Sequence, residues 1–238
     1  MNRHDILPLL ESLGDNCELG FYLEANRIKK GALLRYAQLR ADSAIAFVRS
    51  PERRYFSFER LVPFSRTMVK DTATHIAFHT KTRSSRTPDG WRFETDEEER
   101  WAIHADEKSK HDYLLERFEH RLVSGDPRIY VIKANEGIPA ATAMAMDEAL
   151  RTWKVPERFV LLAVSADPAV GTWRGARSPA LDWHSDTVCH ARVARFAPYD
   201  AASDIDVKSW NRVFDALAVA EKVSGWFDEA DAATPSAA

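Results

Sequence analysis

"RFVLLAVSA", Arg158 to Ala166, is the stretch that decides the fold. Phe159 to Val164 are apolar without a break, and the run is short enough for a strand and too short for a buried helix. A strand with one wet face would alternate. This one is apolar on both faces, as strands of a parallel sheet covered on both sides are. "RIYVIKA" (Arg128 to Ala134) reads as a neighbouring strand, and "TVCHARVARFAP" (Thr187 to Pro198) as another. Between the first two lies "IPAATAMAMDEALRTW", a helix of good formers with Pro139 near its first turn. "VKSWNRVFDALAVAEKV" closes the unit as a helix with Trp210, Val213, Phe214 and Leu217 on one face. Strands alternating with helices predict an α/β layered sandwich, a largely parallel sheet flanked by helices.

Upstream, "DEEERWAIHADEKSKHDYLLERFEHRL" (Asp96 to Leu122) is a long helix, acidic at its start as the helix dipole prefers. Residues 49–94 read as a small insertion. "THIAFHT" (Thr74 to Thr80) alternates as a strand does, and Asp89-Gly90 predicts a hairpin turn into "WRFE". This placement puts His75 and His79 on one side of a strand. In the first third, Asp15 and Glu18 form a D-x-x-E capping pattern that starts a helix near Asn16. Gly31 would close that helix, and a second would span Leu33 to Val48. Residues 1–227 are expected to form a single α/β domain, and 228–238, small and polar, a flexible tail.

The 238 residues carry 33 Lys and Arg against 36 Asp and Glu, a formal net charge of −3. Such a balance gives no global pull toward nucleic acid. No apolar run is long enough for a membrane span, and no signal-peptide pattern stands at the start. Two cysteines far apart, with no C-x-x-C, argue against a disulfide scaffold or a thiolate metal site. The expected setting is the cytoplasm. No cofactor and no metal are expected. Neither G-x-G-x-x-G nor a Walker A loop occurs.

One short stretch carries chemistry. "SLGDNCELGFYL", Ser12 to Leu23, places Cys17 after an expected strand and a tight turn, in the first turn of a helix. Helix N-terminal amides favour negative charge, so they would lower the thiol pKa and could hold an oxyanion. Asn16 offers a further side-chain donor, and Gly14 and Asp15 shape the turn. A thiol nucleophile needs a base. His79 is the first choice, with His75 and His184 as alternates, the latter flanked by Asp182. The alternative is a non-catalytic protein that binds a phosphate, nucleotide-sugar or glycan, with Cys17 as packing. Arg35 and the basic segment around Arg53 and Arg54, continuing to Arg49, Arg60 and Arg66, would then contact the anion. Cys189, in a strand with apolar neighbours, reads as structural.

"SLGDNCELGFYLEANRI" resembles the opening of a bacterial family of unknown function described as papain-like cysteine peptidases. Its members begin with a strand, then S-L-G-x-x-C, then a helix. "GALLRYAQ" and "RFAPYD" are similar to a sub-branch with S-L-G-[DE]-N-C-E and L-L-R-[WY]-A. The resemblance implies a cysteine-nucleophile hydrolase or acyl transferase. It carries over Ser12, Leu13, Gly14 and Cys17, and His79 from "HIAFHTK". It also implies a link to surface-glycan chemistry, with a small-molecule or glycan substrate.

Overall fold

The computed structural model describes residues 1–50, 55–153, 158–172 and 181–232. Its central sheet has five strands in the order β1 (Leu10–Ser12), β7 (Arg128–Lys133), β8 (Phe159–Ala166), β10 (Val188–Val193), β9 (Asp182–Trp183). The first four run parallel, and only β9 is antiparallel. Register explains the apolar runs. Tyr130 lies opposite Leu161 and Val131 opposite Leu162, so like faces align across the sheet. Tyr130, Ile132, Leu161 and Ala163 enter one core, while Ile129, Val131, Val160 and Leu162 enter the other. The doubly covered sheet expected from Phe159 to Val164 is the one observed.

Helices α3 (Ala41–Arg49), α4 (Glu97–Val123) and α5 (Ala140–Arg151) cover the first face through Phe47, Phe118, Met146 and Leu150. On the second face lie α1 (Arg3–Ile6), α2 (Glu18–Ala25), α6 (Val207–Ala218) and α7 (Glu221–Ala232). Ile6, Tyr22, Trp210 and Phe214 are fully buried there. Among the described residues no helix is long and apolar enough to cross a membrane.

The insertion holds two small antiparallel units. β2 (Leu61–Ser65), β3 (Met68–Asp71) and β4 (Ala77–His79) form a sheet. β5 (Ser84–Thr87) and β6 (Gly90–Phe93) form the hairpin expected at Asp89-Gly90. In the three-stranded sheet Val69 pairs with Phe78 and both enter the core. The intervening residues Met68, Lys70, Ala77 and His79 therefore share the opposite face.

Several local expectations fail for physical reasons. Helix α2 starts at Glu18 with Cys17 as its N-cap, because Gly14 (φ 102) and Asp15 (φ 86) both take left-handed backbone. Asp15 does not cap. It turns away to a distant lysine, and Asn16 Oδ1 accepts from the Glu18 amide at 2.9 Å instead. The helix ends at Ala25, not Gly31. Arg27 (φ 64) takes the left-handed position and the Ile28 amide donates back to the Leu23 carbonyl. Leu33 to Val48 is not one helix. Residues 33–36 make a turn and Gln38 bridges to Ala77, so only Ala41–Arg49 is helical. His75 has φ 58 and stands in a turn before β4, so it does not share a strand face with His79. Of the expected tail, 228–238, residues 228–232 belong to helix α7 and 233–238 lie outside the described residues.

Candidate active site

The site is built at the carboxyl ends of β1 and β7, where open α/β sheets bind ligands. After β1, Leu13 continues the ladder, its amide N–H donating to the Val131 carbonyl at 2.9 Å. The chain then reverses through Gly14 and Asp15. No side chain fits at Gly14. A Cβ there would lie 1.8 Å from Leu39 Cδ2, and the φ itself favours glycine. The Gly14 amide donates to Ser12 Oγ at 3.2 Å. This reversal delivers Cys17 to the head of α2.

Cys17 Sγ lies 3.3 Å from His79 Nε2 and 3.5 Å from the Tyr36 carbonyl oxygen. The single thiol hydrogen can serve one of the two acceptors at a time. Cys17 is 7% exposed, whereas His79 at the end of β4 is exposed as a residue. Burial pushes the Cys17 thiol up to about 11, with the Lys133 ammonium pulling it the other way. That opposes the lowered pKa expected from helix amides. Partial burial also holds His79 below its ordinary value of 6.5. At neutral pH the pair is therefore a neutral thiol beside a neutral imidazole.

Beneath the cysteine sits a buried charge cluster. Lys133 Nζ, at the end of β7, lies 2.8 Å from Asp15 Oδ2 and 3.1 Å from Glu18 Oε2. Trp210 Nε1 donates to Glu18 Oε1 at 2.9 Å, and the Tyr199 hydroxyl donates to Asp15 Oδ1 at 2.8 Å. Lys133 also sits 4.4 Å from the Phe196 ring centroid. Asn16 is almost completely buried, and its Nδ2 has no hydrogen-bond partner among the described residues.

A cleft of about 510 Å³ opens beside this constellation. Asp15, Ala134, Glu136 and Tyr199 line it from the main sheet, and Lys70 and Ala77 from the small one. Neither Cys17 nor His79 lines it, yet each stands two residues from one that does, Asp15 and Ala77 respectively.

The other residues singled out by sequence fall elsewhere. His75 lines the same cleft and is exposed. His184 and Asp182 belong to the β9 edge, four strands away from β1. At about 4.8 Å per strand that is roughly 19 Å. There His184 Nε2 lies 2.8 Å from His190 Nδ1. Arg35 is 4% exposed and donates to the Lys30 and Gly20 carbonyls, so it braces main chain. Arg49 pairs with Glu148 on α5 at 3.1 Å. Arg49, Arg60 and Arg66 do not line the cleft, and Arg53 and Arg54 lie outside the described residues. Cys189 is fully buried, and burial raises its thiol to about 12.

Tyr36, Lys70, Lys133 and Tyr199 are given no role by the sequence reading. Two of them carried a signal nonetheless. Tyr36 belongs to "LLRYA" and Tyr199 to "RFAPYD", and the fold brings both stretches to "SLGDNCE". Among the described residues no cluster of three or more His, Cys, Asp or Glu is placed to hold a metal ion. The chain matches no family model, no curated protein and no solved structure.

Proposed function

We propose that the protein is a cysteine-dependent hydrolase or acyl transferase, with Cys17 as nucleophile and His79 as general base. The observation that carries this reading is the 3.3 Å approach of Sγ to Nε2 at the carboxyl end of a parallel sheet, beside an open cleft. The resemblance of the opening motif to a family of unknown function described as papain-like cysteine peptidases supports it.

In this reading the thiol gives its proton to His79 Nε2 as Sγ attacks a carbonyl carbon. The tetrahedral oxyanion is held by amide donors at the head of α2, where Asn16 Nδ2 is an unpartnered candidate. Collapse expels the leaving group, which takes the proton back from the imidazolium. Water or a second nucleophile then cleaves the thioester by the same route. Because thiol and imidazole start neutral, proton transfer accompanies attack. The rate should fall as pH drops through the lowered His79 pKa and should stay level through neutrality.

The test is acyl trapping. Incubation with activated nitrophenyl esters and thioesters should add one acyl mass to the Cys17 peptide, and Cys17→Ala should abolish it. His79→Gln should slow acylation by about 10²–10⁴-fold. Acyl mass on Cys189, or none on either cysteine across the panel, would reject the nucleophile.

The second reading is a binding protein without chemistry. The observation in its favour is the burial of Cys17, 93% enclosed and in contact with the Tyr36 carbonyl. A thiol that stays unreactive in the folded state would decide for it.

A further inference from the structure

We propose that the cleft takes a substrate bearing an anionic group, a carboxylate or a phosphate, and that Lys70 is the residue that reads it. The inference rests on the reading of Cys17 as nucleophile and adds a substrate class to it.

The argument begins with register. Lys70 pairs with Ala77 across β3 and β4, and His79 lies two residues further along β4. Paired residues share a face, and so do residues two apart. Lys70 and His79 therefore leave the same face of the small sheet as diagonal neighbours, with Cα atoms about 7–8 Å apart. Lys70 lines the cleft, and the His79 ring meets Cys17 at its border. An electrophilic carbon at Sγ would carry its substituent into the volume beside Lys70.

The charges around the cleft leave Lys70 as its cation in need of a partner. Asp15 is matched by Lys133 at 2.8 Å and by the Tyr199 hydroxyl. Arg40 and Asp42 both line the cleft and lie 3.6 Å apart, so that cation has its carboxylate. His75, exposed in the same wall, adds positive charge only when protonated. Glu136, after β7, also lines the cleft, as do Ala134 and Tyr199. Among the described residues Lys70 has no ion-pair partner, and its Nζ lies 6.0 Å from the Phe64 ring centroid. A lysine half-buried on a site-facing strand, with its counter-charge absent, is arranged to receive that charge from a ligand.

The experiment compares two alkylating agents of similar size, iodoacetate and iodoacetamide, reacting with Cys17 in the folded full chain. Adducts are mapped by mass spectrometry, and the readout is the quotient of the two rates, in which a general change of thiol reactivity cancels. The wild type should favour the anionic reagent relative to free cysteine. Lys70→Gln should lower the quotient by about three- to tenfold, and added salt should lower it in the wild type. A quotient unchanged by Lys70→Gln overturns the anion assignment and leaves the nucleophile standing. If neither reagent labels folded Cys17 while both label the urea-unfolded chain, the nucleophile reading fails instead. Thermal denaturation with added glutarate or inorganic phosphate then decides the anion site on its own. A raised midpoint that Lys70→Gln abolishes upholds it, and no shift with either anion overturns it.

Discussion

At the scale of single residues, the site depends on one buried lysine. Lys133 faces two carboxylates, Asp15 and Glu18, under the cysteine. Removing one partner of a buried ion pair leaves uncompensated charge, so Lys133→Met should cost about 3–5 kcal/mol in urea unfolding. Adding Glu18→Gln should recover part of that loss, and a double variant no more stable than the single would count against the coupling. Lys133 also pulls the Cys17 pKa down, so its loss should slow alkylation further at any pH below about 11. Cys17 and His79, which the fold brings to 3.3 Å, could be singled out in the sequence because their signal is local, a turn-cysteine-helix motif and a histidine in an alternating stretch. Lys133 was not, because its partner Asp15 lies 118 residues away and nothing local marks the pairing. Asp15 was misread as a cap for the same reason. Its left-handed backbone and its distant partner outrank the D-x-x-E pattern.

At the scale of elements, two contacts carry distinct expectations. Helix α2 packs on the Arg35–Tyr36 main chain through Gly20, where a Cβ would lie 2.6 Å from the Arg35 carbonyl oxygen and 2.6 Å from Tyr36 Cε1. Gly20→Ala should destabilise the fold by about 1–3 kcal/mol and push the Tyr36 carbonyl away from Sγ. Calorimetry reads the first effect, and faster alkylation of Cys17 reads the second. The inner face of α4 carries His111, stacked on Phe56 at 3.8 Å between centroids and beside the Tyr55 hydroxyl. Burial first, then Lys110 and Lys108, lower its pKa from 6.5 to about 3. Below about 6.5 the unfolded chain takes up a proton that the folded chain refuses, so stability falls as pH falls, by about 2 kcal/mol at pH 5. His111→Phe should flatten that acid limb in urea titrations, and an unchanged slope would remove His111 from the account. Long regular elements such as α4, α5 and β8 could be read from periodicity. The segment from Leu33 to Val48 could not, since its helical pattern gives way to a bridge between Gln38 and Ala77, a partner outside any local window.

At the scale of the whole molecule, stability concentrates in the doubly covered sheet. Leu162 on β8 is fully enclosed in the core shared with α6. Leu162→Ala should cost about 2–5 kcal/mol, visible as a lowered urea midpoint with an unchanged m-value. A loss below about 1 kcal/mol would mean that the core relaxes around the gap. The fold class was legible because both faces of the sheet are apolar in the sequence itself. The strand order has a consequence in time. β1 has β7 as its sheet neighbour, and the charge cluster beneath the cysteine closes between residues 118 positions apart. Closing so long a loop costs about 2 kcal/mol more than closing one of ten residues. During synthesis the cysteine and its histidine leave the ribosome long before the strand that completes their platform. The charge cluster under Cys17 is thus among the last things the chain assembles, and a nascent or truncated chain ending before Arg128 holds the thiol without it.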